Sequence, residues 1–153
     1  MRVVTGEMRL NLRNWALSGS FRYLTYDFSC CSTEMRAIVG SRYDLERFGV
    51  YPTSDPRLAD VLFVSGTISD QGLSYLTGII DSMPAHRRII AVGGCAFNGG
   101  PFSASTSGLS QGGVEVDFFV PGCPPRPEAI LQAVVDCQMS MDRPKSQAHA
   151  VRS

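Results

Sequence analysis

Continuous apolar runs predict the strands of this chain. Val61–Ser65 and Ile89–Val92 are apolar at nearly every position, and Val114–Val120 and the shorter Phe48–Tyr51 are further strand candidates. The first two runs do not alternate between apolar and polar residues, which is typical of parallel strands covered on both faces. The pattern therefore predicts a buried, mainly parallel sheet.

Apolar residues at helical spacing lie between and after these runs. Residues 70–83 and 127–139 each place an apolar stripe on one face, and residues 33–39 predict a shorter helix. Ser69 or Asp70 is suitably placed to cap the start of the first helix. Because strands alternate with helices, we expect an α/β fold with helices on both faces of the sheet.

The chain divides into three parts by composition. Residues 1–29 are rich in apolar and aromatic residues, and we expect them either to dock on a partner or membrane or to pack on their own domain. Residues 30–139 form the α/β domain, with a long Gly/Ser-rich loop at 98–113. Residues 140–153 are polar and without pattern, which predicts a disordered tail.

Length and charge exclude several classes of protein. The 153 residues suffice for one domain with its own core. Fourteen basic residues balance fourteen acidic ones, so there is no basic excess to bind nucleic acid. No apolar run is long enough to span a membrane, and the N-terminus does not resemble a signal peptide. We therefore expect a cytosolic protein without a transmembrane helix, which reaches a membrane only through partners.

Four of the five cysteines follow predicted strands. Cys30 and Cys31 follow the apolar stretch that ends at Phe28, while Cys95 and Cys123 follow the later strands. Parallel strands end at one edge of a sheet, so we expect these four thiols to converge there. In a reducing compartment such a set is more useful for metal or redox chemistry than for disulfides. The fifth, Cys137, lies on the apolar side of the last helix and is expected in the core.

The spacing of the cysteines favours one 4Fe–4S cluster over zinc. Structural zinc sites prefer Cys-x-x-Cys pairs, which this chain lacks, whereas the adjacent Cys30 and Cys31 point apart and can reach two iron atoms. The flanking glycines, such as Gly93, Gly94 and Gly122, allow the backbone to approach a bulky group. A structural Cys₄ zinc module is the alternative from a different class.

Four segments resemble one known family. They are CCSTEMRAIVGSRYDLERFGV, DPRLADVLFVSGT, GGCAFNGGPF and VPGCPPRPEAIL, and the similarity extends from about residue 10 to residue 138. The chain resembles the subunit of NADH–quinone oxidoreductase, respiratory complex I, that carries its terminal iron–sulfur cluster. The tandem cysteine followed by Glu34 and Met35, together with PGCPP, is highly specific to that family.

The resemblance implies a fold, a cofactor and partners. It implies a flavodoxin-like α/β fold related to the small subunit of nickel–iron hydrogenases. It also implies that Cys30, Cys31, Cys95 and Cys123 ligate the terminal 4Fe–4S cluster, which passes electrons to quinone. The expected partners are a hydrogenase-like large subunit, other iron–sulfur subunits and membrane-arm subunits. The complex would lie on the cytoplasmic side of the inner or plasma membrane, and the subunit would not be active alone.

The resemblance also suggests residues of a quinone pocket. By position these are Met35, Arg42 and Asp44, and Glu34 and Arg36 are further candidates that could line the pocket or tune the cluster. The chain departs from the family at Arg36, where a second methionine is usual, and in its Gly-rich loop, which lacks tyrosines. The alternative acceptor is the active site of a membrane-bound energy-converting nickel–iron hydrogenase. The adjacent cysteine pair favours the complex I side.

For two further sets of polar residues, the alternative to a functional role is simple exposure to solvent. His86 lies in a loop before a strand and is expected to be solvated rather than a ligand. Arg42, Asp44, Glu46 and Arg47 are either a solvated group of exposed ion pairs or, as the family suggests, part of an interface with the large subunit.

Overall fold

Five parallel strands form the sheet in the computed structural model, which describes residues 19–141. Their order is β2-β1-β3-β4-β5, the flavodoxin-like arrangement that the resemblance implied. Every neighbouring pair is parallel, as the continuous apolar runs predicted. The strands are β1 (Phe21–Asp27), β2 (Val50–Pro52), β3 (Val61–Ser65), β4 (Arg88–Val92) and β5 (Phe118–Val120).

Four α-helices accompany the strands in the described part of the chain. The predicted helices at 33–39, 70–83 and 127–139 are present, and the first begins at the tandem cysteine, three residues earlier than expected. Ser69 caps the second, since its Oγ accepts the N–H of Gly72 at 3.1 Å. The helices are α1 (Cys30–Val39), α2 (Asp70–Ser82), α3 (Gly94–Asn98) and α4 (Pro127–Ser140).

The two edge strands differ from the predicted ranges. The run at Phe48–Tyr51 was predicted as a strand, but residues Leu45–Phe48 form a 3₁₀ turn that ends at Gly49 in the left-handed region, with φ 74°. The strand therefore begins at Val50. The run from Val114 pairs only from Phe118 onward.

Part of the predicted N-terminal docking segment lies inside the fold. β1 is paired with β2 on one side and β3 on the other, and its Phe21 and Tyr23 are buried. The domain therefore extends N-terminal of residue 30, at least to Phe21. Residues 1–18 lie outside the described part of the chain.

The C-terminal end of the domain also lies beyond the predicted residue 139. Ser140 is the last residue of α4, and Met141 packs into the core, although both fall in the range predicted as a tail. Residues 142–153 lie outside the described part. Between residues 19 and 141 no helix is both long and apolar enough to cross a bilayer.

Two apolar layers enclose the sheet. One lies between the sheet and α1 and α4, and includes Met35, Ile38, Phe63 and Ile130. The other lies between the sheet and α2 and α3. Each fully buried large side chain contributes about 1.5–3 kcal/mol through burial. Cys137 is fully buried in the first layer, which confirms that it is a core residue.

A polar network closes the N-terminal edge of the sheet. Asp60 accepts the backbone N–H of Arg22 at 2.8 Å and contacts His86 Nε2 at 2.9 Å. Arg88 faces Asp117 at 3.5 Å, and both side chains are almost completely buried. The prediction that His86 is solvated is therefore wrong, because its ring folds onto Asp60 and is only 26% exposed.

Candidate metal centre

The four cysteines that follow strands lie at the carboxyl edge of the sheet. Cys30 and Cys31 open α1 directly after β1, and Cys95 lies in α3 after β4. Cys123 lies in the loop between β5 and α4. This is the edge at which open α/β sheets bind ligands.

The chain reaches from β1 to the end of β4 by passing over β3. Gly66 follows β3 with φ 86°, and a Cβ there would lie 2.5 Å from the carbonyl oxygen of Phe28. The backbone N–H of Phe28 donates to the carbonyl of Ser65 at 3.2 Å. Gly66 therefore provides the space in which the segment before α1 crosses β3.

Three cysteine-bearing segments meet at Gly93. A Cβ on this residue would lie 2.8 Å from Cys31 Sγ and 3.4 Å from the carbonyl oxygen of Gly122. The next residue, Gly94, donates its N–H to that same carbonyl at 3.3 Å. Gly93 adopts φ 84°, a region that only glycine enters without strain. The backbone at the end of β4 therefore touches both the α1 thiol and the loop of Cys123.

The other flanking glycines have different roles. A Cβ on Gly100 would lie 3.2 Å from Cys95 Sγ, so this glycine also lets backbone approach a thiol. Gly122 packs against Pro125 in its own loop, where a Cβ would lie 2.4 Å from the Pro125 Cα. A Cβ added to Gly94 would meet no other atom of the chain within 4 Å.

The four thiols act on one another electrostatically. Burial, followed by the neighbouring Cys30 and then Cys95 and Cys123, raises the pKa of Cys31 to about 12. Burial raises the pKa of Cys95, and Cys123 and Cys30 raise it further. Cys31 is only 3% exposed, Cys95 is half-buried, and the other two are exposed. Neighbouring thiols therefore add to the effect of burial at both Cys31 and Cys95.

The chemistry of the donors suits an iron–sulfur group. Thiolates are soft ligands, and glycine backbone around them can turn N–H groups toward sulfur. Ser65 Oγ is also buried at this edge, without a hydrogen-bond partner among the described residues. No group of three or more His, Cys, Asp or Glu within residues 19–141 is placed to hold a single metal ion.

Ser29 is a feature of the site that the sequence reasoning missed. It precedes Cys30 with φ 66°, a backbone conformation that costs a non-glycine residue about 1–3 kcal/mol. Its carbonyl accepts the side chain of Ser32 at 2.8 Å and the backbone N–H of the same residue at 3.2 Å. The strained residue sets the direction in which α1 leaves β1, and no glycine in the sequence marks it.

A cavity of about 550 Å³ opens beside α1. Two residues predicted for a quinone pocket, Met35 and Arg36, line it. Met35 is buried one helical turn after Cys31, on the same face of the helix. The other lining residues come from β1, the end of α1 and the residues around the end of β2: Tyr23, Thr25, Asp27, Val39, Gly40, Pro52 and Thr53.

The remaining predicted pocket residues do not line this cavity. Glu34 is half-buried on α1, and Asp44 forms an exposed ion pair with Arg47 at 3.1 Å. The guanidinium of Arg42 lies 5.5 Å from the ring centroid of Tyr43.

Tyr43 makes a contact that the sequence did not indicate. Its hydroxyl donates to Glu128 Oε1 at 2.5 Å. The bond joins two segments that are 85 residues apart in sequence.

The structure is an α/β protein with four thiols at the carboxyl edge of a flavodoxin-like sheet. The model of the NADH ubiquinone oxidoreductase 20 kD subunit family matches residues 29–137. The chain belongs to this family, as the resemblance of its four motifs indicated.

Curated relatives agree with this assignment. NAD(P)H-quinone oxidoreductase subunit K from Prochlorococcus marinus (strain MIT 9215) is 43% identical over 128 residues, as is the same subunit from Synechococcus sp. (strain RCC307). In both cases the match covers 82% of this chain and 53% of the relative. The chain therefore spans about half the length of these relatives.

Solved structures share the fold. A chain of the membrane-bound sulfane sulfur reductase, an archaeal respiratory membrane complex, has a TM-score of 0.77 and 29% identity, covering 86% of this chain and 75% of that one. A chain of the NAD⁺-reducing [NiFe]-hydrogenase in the H₂-reduced state has a TM-score of 0.61 and 19% identity, covering 79% and 92%. The second likeness concerns the fold alone, and it confirms the expected relation to hydrogenases at that level.

Proposed function

We propose that this chain binds one 4Fe–4S cluster through Cys30, Cys31, Cys95 and Cys123, and passes electrons to quinone in a complex I-like oxidoreductase. The observation that carries the proposal is the meeting of three cysteine-bearing segments at Gly93. When bound, such a cluster supplies one-electron transfer.

The chain's own residues would bury one side of the cluster and leave the other side open. Cys31 lies on the buried face of α1, while Cys30 and Cys123 are exposed to solvent or to a partner. Burial raises the pKa of the Cys31 thiol above its ordinary value, which disfavours the thiolate further in the metal-free chain. Ligation needs thiolates, so cluster assembly at this site would release protons.

The cavity beside α1 is the proposed quinone site. Its volume falls in the range of small-molecule pockets, and Met35 connects its wall to the helix face that carries Cys31. Arg36 gives the cavity a guanidinium that can donate hydrogen bonds to a quinone oxygen. Asp27 is the acidic residue among the lining groups.

The proposed partners are a hydrogenase-like large subunit, other iron–sulfur subunits and membrane-arm subunits. Two exposed thiols, together with exposed Phe28 and Phe102 near the same edge, favour a covering partner there. The complex would lie peripherally on the cytoplasmic side of the inner or plasma membrane, and this chain would not be active without it.

Iron and acid-labile sulfide in the reconstituted full chain test the cluster. We expect about four irons per chain, and an EPR signal at low temperature after reduction. Cys95→Ala and Cys123→Ala should each lose most of the iron and change or abolish the signal. Cys137→Ala is the matched control, since this thiol is buried in the core, and it should retain both.

The outcome that contradicts the cluster is a correctly folded wild-type chain that binds no iron under these conditions. Equal loss of iron in Cys137→Ala and Cys95→Ala would also contradict the proposed ligand set. Unfolding of the wild-type chain on metal removal, with no redox signal, would instead indicate a zinc module.

The quinone assignment is tested separately in the assembled complex. Arg36→Met should change the KM for quinone and leave the EPR signal in place, whereas Arg57→Met, at an exposed ion pair with Asp55, should change neither. An unchanged KM in Arg36→Met would exclude this cavity as the quinone site. A complex that reduces protons and not quinone would favour the hydrogenase alternative.

A further inference from the structure

We propose that Tyr43 and Glu128 are positioning residues, whose hydrogen bond holds the loop of Cys123 in register with the cysteines of α1. This inference rests on the proposed cluster for its purpose, but the bond itself belongs to the metal-free fold. It adds two residues to the site that contribute no ligand.

The loop of Cys123 has few other anchors. Residues 121–124 and 126 are exposed, and only Pro125 is buried, against the glycines at 93 and 122. The loop leads directly into α4, and Glu128 lies in the first turn of that helix, five residues after Cys123. A contact at Glu128 therefore fixes the end of the loop.

Tyr43, in the turn that follows the cysteine-bearing helix α1, provides that contact. It follows α1 after Gly40, whose N–H closes the helix on the carbonyl of Ala37, and the N–H of Tyr43 donates to the carbonyl of Gly40. The side chain then reaches Glu128 at 2.5 Å. The turn that follows α1 and the first turn of α4 are thus joined directly.

The charges around the pair favour the charge-assisted form of the bond. The Tyr43 hydrogen bond lowers the pKa of Glu128 most, a backbone hydrogen bond lowers it further, and the charges of Arg42 and Arg126 contribute less. The same bond raises the pKa of Tyr43. Near neutral pH the pair is therefore a neutral phenol donating to a carboxylate, which is stronger than a bond between neutral groups.

The chain contains a matched control for this bond. Gln138 Nε2 donates to the carbonyl of Phe48 at 2.9 Å, which ties the same connection between α1 and β2 to the last turns of α4. Ten residues separate Glu128 from Gln138, which is roughly 15 Å along a helix. Both bonds join the same two parts of the chain, but only the first lies at the cysteine end.

The experiment compares Tyr43→Phe, Glu128→Ala, Glu128→Gln and Gln138→Ala in the full chain. One readout is the rate of iron release from the reconstituted protein to a chelator. The other is amide hydrogen exchange of residues 121–130 in the metal-free protein. Tyr43→Phe and Glu128→Ala should each raise both rates severalfold, and the double variant should not exceed the larger single effect. Glu128→Gln retains an acceptor and should restore part of the protection.

Gln138→Ala should leave both rates at the wild-type value. The proposal is overturned if Tyr43→Phe behaves like wild type in the exchange measurement, or if Gln138→Ala matches it. If the wild-type chain binds no iron, the proposed function fails, and the exchange measurement alone still decides whether Tyr43 and Glu128 position the loop.

Discussion

Polar side chains lie at both the N-terminal and the carboxyl edge of the sheet, but they are buried at the first and partly exposed at the second. At the N-terminal edge Asp60, His86, Arg88 and Asp117 are turned inward and engage one another or the backbone. At the carboxyl edge two thiols, those of Cys30 and Cys123, are exposed.

This difference suggests that the residues of the N-terminal edge stabilise the fold and that those of the carboxyl edge serve its function. Polar groups that are buried and satisfied hold strands together, and their loss leaves a partner without compensation. Thiols that the fold brings together and leaves exposed can instead bind a ligand. We therefore expect substitutions at the N-terminal edge to alter stability alone, and substitutions at the carboxyl edge to alter iron binding.

The largest expected effect is at the buried ion pair. Arg88→Met leaves Asp117 buried without its cation and should lower the free energy of unfolding by about 3–5 kcal/mol. Urea unfolding of the full chain measures this loss. Arg88→Met combined with Asp117→Asn should recover part of it, because the asparagine oxygen can still accept the N–H of Ile89. Iron content per folded chain should not change, and a loss of iron would contradict the division between the edges.

A smaller effect on stability, with a large effect on iron, is expected at Gly93. Gly93→Ala adds a Cβ 2.8 Å from Cys31 Sγ at φ 84° and ψ 157°, which should cost about 1–3 kcal/mol and displace the thiol. Gly78→Ala is the control, since this glycine lies on α2 with open space around it. It should stabilise the protein by about 0.5–1 kcal/mol and retain all iron. Full iron binding by Gly93→Ala would show that the contact is not part of the site.

The smallest effect concerns pH and the exposed pair at Glu128. Its pKa is lowered in the fold, so its contribution to stability is complete above the ordinary value and is lost as pH falls through the folded pKa. The difference in melting temperature between wild type and Tyr43→Phe should therefore shrink as pH falls from about 6 to about 3. A difference that stays constant over this range would show that the carboxylate does not strengthen the bond.

Several features could be predicted from local pattern. Val61–Ser65 was predicted with its observed bounds, because a continuous apolar run has one favourable place in such a fold, the centre of the sheet. The position of the cysteines after the strands followed from the same reasoning. β2 was predicted two residues too early because Phe48 continues the apolar run, although it is the last residue of a 3₁₀ turn that Gly49 ends. His86 was misjudged because its partner, Asp60, lies 26 residues away in sequence.

The sequence by itself determined which side chains could serve as ligands and which strands would carry them, since both depend on residue type and short-range periodicity. Only the tertiary structure decided that the segment before α1 crosses β3 at Gly66, that Cys31 is buried against Gly93, and that Tyr43 reaches Glu128. These contacts join segments far apart in the chain. They depend on backbone approach and strand order, which no local pattern of residues encodes.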